Sequence, residues 1–210
     1  MALDLEEQEQ VAELKAWWTQ YGNLVVSTIT AAAIAFAGWQ VWRWYERGQA
    51  SQAGVLYDTL ARAANAGDAK ALRDAAGALI ENYPRTLYAS MGAFNAARFY
   101  FDRKDLKSAK AQLQWVVDNA RQDEFRDMAR LRLAAILLDE KAFDDALKLL
   151  DASHDASFDA QYAAAKGDVL VAKNQADGAR AAYRVALEKA GAGNTPFRES
   201  VRMRLEALGG

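Results

Sequence analysis

LRLAAILLDEKAFDDALKLL, residues 131–150, is the stretch whose reading decides the fold. It divides into a helix, a polar break at Asp139-Glu140-Lys141, and a second helix. Asp144 and Asp145 open the second helix, where acids favour the positive end of the backbone dipole. A break this short sets the two helices antiparallel. A close crossing needs a small residue from each partner, and Ala134 and Ala146 supply them. Leu137, Phe143 and Leu150 are the large neighbours that fill the remaining space.

The same five slots recur on either side. Upstream they hold Ala97, Tyr100, Leu106, Ala109 and Leu113; downstream they hold Gly167, Leu170, Ala176, Ala179 and Tyr183. The offsets are 37 and 33 residues, close to the period of about 34 of tetratricopeptide repeats. The expected fold is all-α, with three tetratricopeptide-like helix pairs over residues 89–190 stacked as an α-solenoid. Ala97, Ala109, Ala134, Ala146, Gly167 and Ala179 are its packing residues. Two features of the repeat are missing. No unit ends in proline, and Ala93, Arg130 and Ala163 stand where a first-turn aromatic is usual. An irregular bundle with alanine-rich contacts is the competing arrangement.

Outward from the repeats, residues 43–88 read as a linker and a degenerate first helix pair. Residues 191–210 read as a Gly-rich connector and a helix capping the exposed apolar end of the stack. Arg198, Arg202 and Arg204 of that helix are expected to face water. Composition agrees with helix throughout: 52% of residues are hydrophobic, and the only prolines are Pro84 and Pro196.

The N-terminal quarter differs. No charged residue lies between Lys15 and Arg43, and the centre, residues 24–41, reads LVVSTITAAAIAFAGWQV. Trp17, Trp18 and Tyr21 precede it; Trp39, Trp42, Trp44 and Tyr45 follow. Such rings sit well at lipid headgroups, apolar on one side and wet on the other. From Trp18 to Trp39 a helix rises roughly 31 Å, close to the hydrocarbon thickness of about 30 Å. Residues 22–42 are therefore expected to span a lipid bilayer, behind an acidic arm at 1–21. Ser27, Ala31, Ala35 and Gly38 share one face, where small residues let a second helix approach. Two other readings compete. Ala35-Phe36-Ala37 has the form of a signal-peptidase site, although the region before it is acidic. A buried core helix is the other, since Ser27, Thr28 and Thr30 dilute the hydrophobicity.

Charge adds little. The net charge is −2, with five acids and one base in residues 1–20. Neither that arm nor the nearly balanced remainder resembles a polyanion-binding surface, so no nucleic-acid partner is expected. Arg43 and Arg47 follow the span and Lys15 alone precedes it, so the positive-inside count puts the C-terminal domain in the cytoplasm. No catalytic constellation emerges. There is no cysteine, and His154, the sole histidine, sits in a polar loop. A thiolate or histidine metal site and a His-based triad are thereby disfavoured, and no cofactor is expected. Gly191-Ala192-Gly193-Asn194 lacks the Lys-Ser/Thr of a phosphate loop. Arg126, Arg130 and Arg132 lie among acids and read as a solvated face. The run Phe94, Phe99, Tyr100, Phe101 exceeds the need of one core face, so part of it is a candidate lining for a binding surface.

Several stretches resemble the YfgM-like family of ancillary subunits of the bacterial Sec translocon. They are the arm with Gln10-Val11-Ala12-Glu13-Leu14-Lys15-Ala16-Trp17-Trp18, the span ending in Gly38-Trp39, and later Ala109-Lys110-Ala111-Gln112-Leu113 and Leu131-Arg132-Leu133-Ala134. Asp145-Ala146-Leu147, Lys166-Gly167-Asp168-Val169-Leu170 and Gly178-Ala179-Arg180 match as well. The resemblance implies a single-pass inner-membrane protein with a cytoplasmic N-terminus and a periplasmic repeat domain, against the charge count. It implies association with SecYEG and the periplasmic chaperone PpiD, contact with emerging secretory proteins, and no catalytic residues. An adaptor for another envelope assembly would use the same anchor and repeats.

Overall fold

The computed structural model describes residues 5–191 and 193–209, with side chains from Glu9 onward. Asp4 of the acidic arm and Ala192 of the connector lie outside the described residues. The helices are α1 (Leu5–Ala66), α2 (Ala69–Asn82), α3 (Leu87–Asp102), α4 (Leu106–Asn119), α5 (Asp123–Asp139), α6 (Phe143–Leu150), α7 (Asp159–Ala172), α8 (Ala176–Lys189) and α9 (Thr195–Glu206). A 3-10 turn occupies Ala156–Phe158, and no strand occurs among the described residues. Contacts divide the chain into two units, up to Gln49 and from Ala50 onward.

In the first unit, the described part of the acidic arm and the apolar stretch are one helix. Residues 43–49, expected as a linker, are also helical. They contain no proline, and the single Gly48 costs only about 1 kcal/mol against alanine, too little to break a long helix. The Thr28 hydroxyl donates to the Leu24 carbonyl at 2.8 Å, so this polar side chain is satisfied by its own helix. Ile29, Ile34 and Phe36 are 63%, 69% and 60% exposed, so the apolar stretch is not the core helix that its hydroxyls allowed.

The second unit is a stack of antiparallel pairs, with residues 50–66 of α1 pairing with α2. Each pair turns through one residue in the left-handed region: Gly67 (φ 73°), Lys104 (63°), Lys141 (62°) and Asn174 (60°). In each, the next residue's N–H reaches back five residues: Asp68 to Ala63, Asp105 to Tyr100, Ala142 to Leu137, Gln175 to Leu170, all at 2.8–2.9 Å. This satisfies carbonyls that a helix end would otherwise leave bare. The first pair is thus as regular in its turn as the other three.

Its degeneracy is one of side-chain size. At the slots of Ala97, Tyr100, Leu106, Ala109 and Leu113, 37 residues earlier, stand Leu60, Ala63, Ala69, Leu72 and Ala76. Every small residue has become large and every large one small. Leu60 and Leu72 are fully buried, in one core cluster with Ala63 and Ala76. Elsewhere the small slots hold, with Ala109, Ala146 and Ala179 at 0% exposure, Ala134 at 1% and Ala97 at 5%. Gly167 faces the Tyr183 ring, and a Cβ placed there would lie 2.4 Å from it.

The terminal helix corrects one expectation. Arg198 does not face water; it donates to the carbonyls of Leu187 and Ala190 at 2.6 and 2.8 Å, capping α8. Arg204 donates to both oxygens of Asp168, which also accepts from the Tyr183 hydroxyl at 2.7 Å. Arg202 and Arg204 are both exposed, as expected. The apolar seal comes from Val201 and Leu205, buried against Ala179, Tyr183 and Ala186.

Gly167→Ala is expected to destabilise the repeat unit by about 1–3 kcal/mol, because Tyr183 is a rigid ring pinned by Asp168. Gly92→Ala meets only the end of Leu79, at 2.6 Å. That methyl can rotate, and helix propensity returns about 1 kcal/mol, so a near-neutral change is expected. Urea unfolding of the two variants, followed by circular dichroism, measures the difference.

Candidate interaction groove

The first helices of successive pairs leave a cleft of about 500 Å³, within the size range of specific binding pockets. Tyr57 comes from α1, and Met91, Phe94, Asn95, Ala97, Arg98 and Phe101 come from α3. Leu113 of α4 closes the floor, and Met128, Arg132, Ala135, Ile136 and Asp139 of α5 form the other wall. The helix period explains the selection. Phe94, Arg98 and Phe101 recur at i, i+4 and i+7, as do Met128, Arg132 and Ala135, so each set forms one stripe. The long aromatic run is thereby shared out: Phe99 and Tyr100 are buried in the core, Phe94 belongs to the same core cluster and also lines the cleft, and Phe101 lines the cleft.

Polar groups in the cleft are held in place. The Asn95 amide donates to the Tyr57 hydroxyl at 3.2 Å, and Tyr57 packs on Tyr88 with ring centres 5.7 Å apart. Phe94 lies against Phe125 at 5.9 Å. The Arg132 guanidinium sits 4.6 Å from the centre of the Phe94 ring. Partial burial, and then the neighbouring Arg98 charge, lower its pKa from the ordinary arginine value. Met91 and Met128 add soft, adaptable side chains of the kind found at surfaces that accept varied partners. Such a cleft can hold apolar side chains and present hydrogen-bonding groups at its edge.

A second, polar cavity of about 350 Å³ lies where the α6–α7 connection folds against α5. Its centre is Asp127, 1% exposed. One oxygen accepts from Arg130 at 2.8 Å and the Tyr162 hydroxyl at 3.2 Å; the other accepts from the Asp155 N–H at 2.9 Å. Arg130 also donates to the Ser153 carbonyl at 3.2 Å. His154 stacks on Tyr162 with ring centres 3.8 Å apart and lies 3.3 Å from Asp159. The arginines expected as one solvated face therefore part company: Arg126 pairs with Asp123, Arg130 with Asp127, and Arg132 enters the cleft. Carboxyl shifts belong to caps: Asp105 and Asp155 lie low because Ser108 and Ser157 hydrogen-bond to them. Among the described residues no group of three metal-ligating side chains forms.

The other residues singled out in the sequence lie along α1. Ser27, Ala31, Ala35 and Gly38 are exposed on one helix, and nothing lies within 4 Å of a Cβ at Gly38. Trp17, Trp18 and Tyr21 near one end of the apolar stretch are 48%, 54% and 42% exposed; Trp39, Trp42 and Trp44 near the other are 50%, 50% and 76%. Trp18 folds over Gly22, and Arg43 lies 4.9 Å from the Trp39 ring centre. This is the one helix among the described residues that is long and apolar enough to cross a membrane. Sequence reasoning missed Tyr57, Met91, Met128 and the burial of Asp127. Met128 carries the i, i+4, i+7 signal and Met91 extends the α3 stripe by one turn; Tyr57 is alone on α1, and Asp127 carries no signal because it stands among other charges.

Removing the Asp127 carboxylate leaves Arg130, Tyr162 and an N–H without their acceptor. Asp127→Ala is therefore expected to destabilise by an amount toward the lower end of about 3–5 kcal/mol. Tyr162 supplies a pH signature. Burial first, then the Asp127 charge, push its pKa up from 10 to about 12. The neutral phenol therefore stabilises the fold fully below pH 10, and that contribution is lost as pH rises through about 12. Stability measured by urea unfolding across that window is expected to fall less steeply in Tyr162→Phe.

The comparisons agree with this architecture. The tetratricopeptide repeat-like domain family matches residues 15–210. A protein of Neisseria gonorrhoeae named ancillary SecYEG translocon subunit is 30% identical, over 99% of this chain and 100% of its own. Proteins of the same name from Haemophilus influenzae and Escherichia coli are 25% and 26% identical, over 99% and 84% of this chain and 100% and 85% of theirs. No solved structure gives a significant match. With an apolar N-terminal helix, four helix pairs and a cap, and with relatives matched from end to end, the chain belongs to the YfgM-like family of tetratricopeptide repeat-like proteins, the family of the ancillary SecYEG translocon subunits.

Proposed function

We propose that this protein is a membrane-anchored interaction scaffold at the Sec translocon, and that it helps periplasmic chaperones handle newly exported proteins. The observation that carries the proposal is a pairing within one chain. An apolar helix bears exposed Ile29, Ile34 and Phe36, and a repeat unit bears a preformed, largely apolar cleft. The first feature is costly in water and suited to lipid. The second offers a surface to a protein segment. The relatives' name supplies the translocon.

The helix crosses the inner membrane with its N-terminus in the cytoplasm and the repeats in the periplasm. Trp17, Trp18, Tyr21, Trp39, Trp42 and Trp44 anchor it at the two interfaces, and the Ser27–Gly38 face packs on a neighbouring span. The partners are SecYEG, the chaperone PpiD, emerging secretory chains and the bilayer itself. Catalysis has no part in this role. Anchoring brings the weak contacts of the cleft to an effective concentration of about millimolar, so tight binding is not required.

Pull-down of the full-length protein from mild detergent is expected to recover SecY, SecE and SecG with PpiD. Recovery of a different envelope assembly, with a clean bait, would support an adaptor role there instead. In spheroplasts, external protease is expected to digest the repeat unit. A repeat unit protected until the membrane is lysed would reverse the orientation and favour the one given by Arg43 and Arg47.

A further inference from the structure

We propose that the cleft between α3 and α5 takes an apolar peptide segment carrying a carboxylate, and that the Arg98–Arg132 pair receives that carboxylate. The proposal rests on the cleft being the protein-binding surface and adds what that surface selects.

The argument starts from how the arginines of the repeat unit are used. Arg126, Arg130 and Arg204 are paired with carboxylates, Arg180 and Arg198 donate to backbone carbonyls, and Arg103 donates to the Gly67 carbonyl. Arg85, Arg184 and Arg202 have no carboxylate partner among the described residues and are exposed; Arg132 has none either, but it lines the cleft. It is packed on the Phe94 ring and has a second guanidinium, Arg98, as its charged neighbour. Two like charges beside an apolar wall are unfavourable in the empty cleft, and an arriving anion relieves them. Stacking on Phe94 leaves the planar fork of Arg132 oriented in advance, so less side-chain entropy is lost on binding.

Arg98 is free to join. Its link to Asp102 is 3.9 Å long between side chains that are 82% and 62% exposed, a contact of small value in water. The floor around the pair, Met91, Phe94, Phe101 and Met128, is apolar. A free small anion would gain nothing from that floor, whereas a peptide with a hydrophobic side chain beside an aspartate, a glutamate or its own C-terminal carboxylate uses both features. Asp139 gives the cleft a direction. It lies seven residues beyond Arg132 on α5, roughly 10 Å along the helix, and repels a carboxylate shifted to that end.

Full-length protein in lipid nanodiscs tests this with three short fluorescein-labelled peptides, read by anisotropy against empty nanodiscs. The peptides share leucines spaced one helical turn apart and differ in bearing glutamate, glutamine or lysine between them. Wild type is expected to prefer glutamate over glutamine by about tenfold and to bind lysine least, with the preference shrinking in high salt. The Arg98→Gln, Arg132→Gln double variant is expected to bind the glutamate and glutamine peptides equally, and the Arg98→Glu, Arg132→Glu double variant to reverse the order. Unchanged melting temperatures identify folded variants. Equal binding of glutamate and glutamine by wild type overturns the carboxylate proposal. If that shared affinity still falls in Phe101→Ser, the cleft remains the binding surface and only the carboxylate selection is lost. Absence of binding by all three peptides, or indifference to Phe101→Ser, overturns both.

Discussion

The structure depends on how closely two antiparallel helices approach at their crossing. Where each pair meets, there is room for one large side chain set against one small one, and the stack repeats only if that volume is conserved. Ala109, Ala146 and Ala179 have no exposed surface, so none of them could grow without moving a helix. The tightest crossing is Gly167 against Tyr183, where even a methyl group would overlap the ring. The first pair solves the same problem in reverse, with Leu60 and Leu72 large and Ala63, Ala69 and Ala76 small. What recurs along the stack is an alternation of small and large side chains in the core, not one residue at each slot.

This explains what could be read from the chain and what could not. Three pairs were legible because small and large residues recur in register from Ala97 to Tyr183. The first pair reads only as a degenerate one, because a template of small and large slots scores its inverted pattern as disagreement. Its regular part is the backbone turn at Gly67, whose φ matches those of Lys104, Lys141 and Asn174. That similarity lies in conformation, and only Gly67 announces it by residue type. Arg198 departs from its expected exposure for a related reason. Composition marks Arg198 as a surface residue, but a long side chain at the edge of a stack can reach back to the carbonyls of Leu187 and Ala190; Arg204 stays exposed while pairing with Asp168.

The cleft was half legible. The surplus of aromatics between Phe94 and Phe101 signalled more than one apolar face, and the structure shares them between core and cleft. Arg132 was grouped with Arg126 and Arg130 because they are near neighbours in sequence. On a helix they are not neighbours in direction. Arg126 and Arg130 are four apart and share a face, whereas Arg132 lies two positions further on, well round the helix, and points into the cleft instead. Sequence proximity located the charge, and helical phase decided its use.

The polar core around Asp127 follows from one shortened helix. α6 has 8 residues, where α2, α4 and α8 each have 14. The missing turns would have presented apolar side chains to α5 and α7. In their place runs an irregular, largely exposed connection, part of whose backbone is tied to α5. Asp127 makes these ties from α5: it takes the N–H of Asp155, fixes Arg130 so that it can reach the Ser153 carbonyl, and holds the Tyr162 hydroxyl of α7. His154 completes the substitution by stacking on Tyr162, covering the ring that a longer α6 would otherwise cover. A buried carboxylate with three donors therefore stands in for about a turn and a half of helix. The sole histidine, the residue a search for catalysis reaches first, is a packing residue in this arrangement.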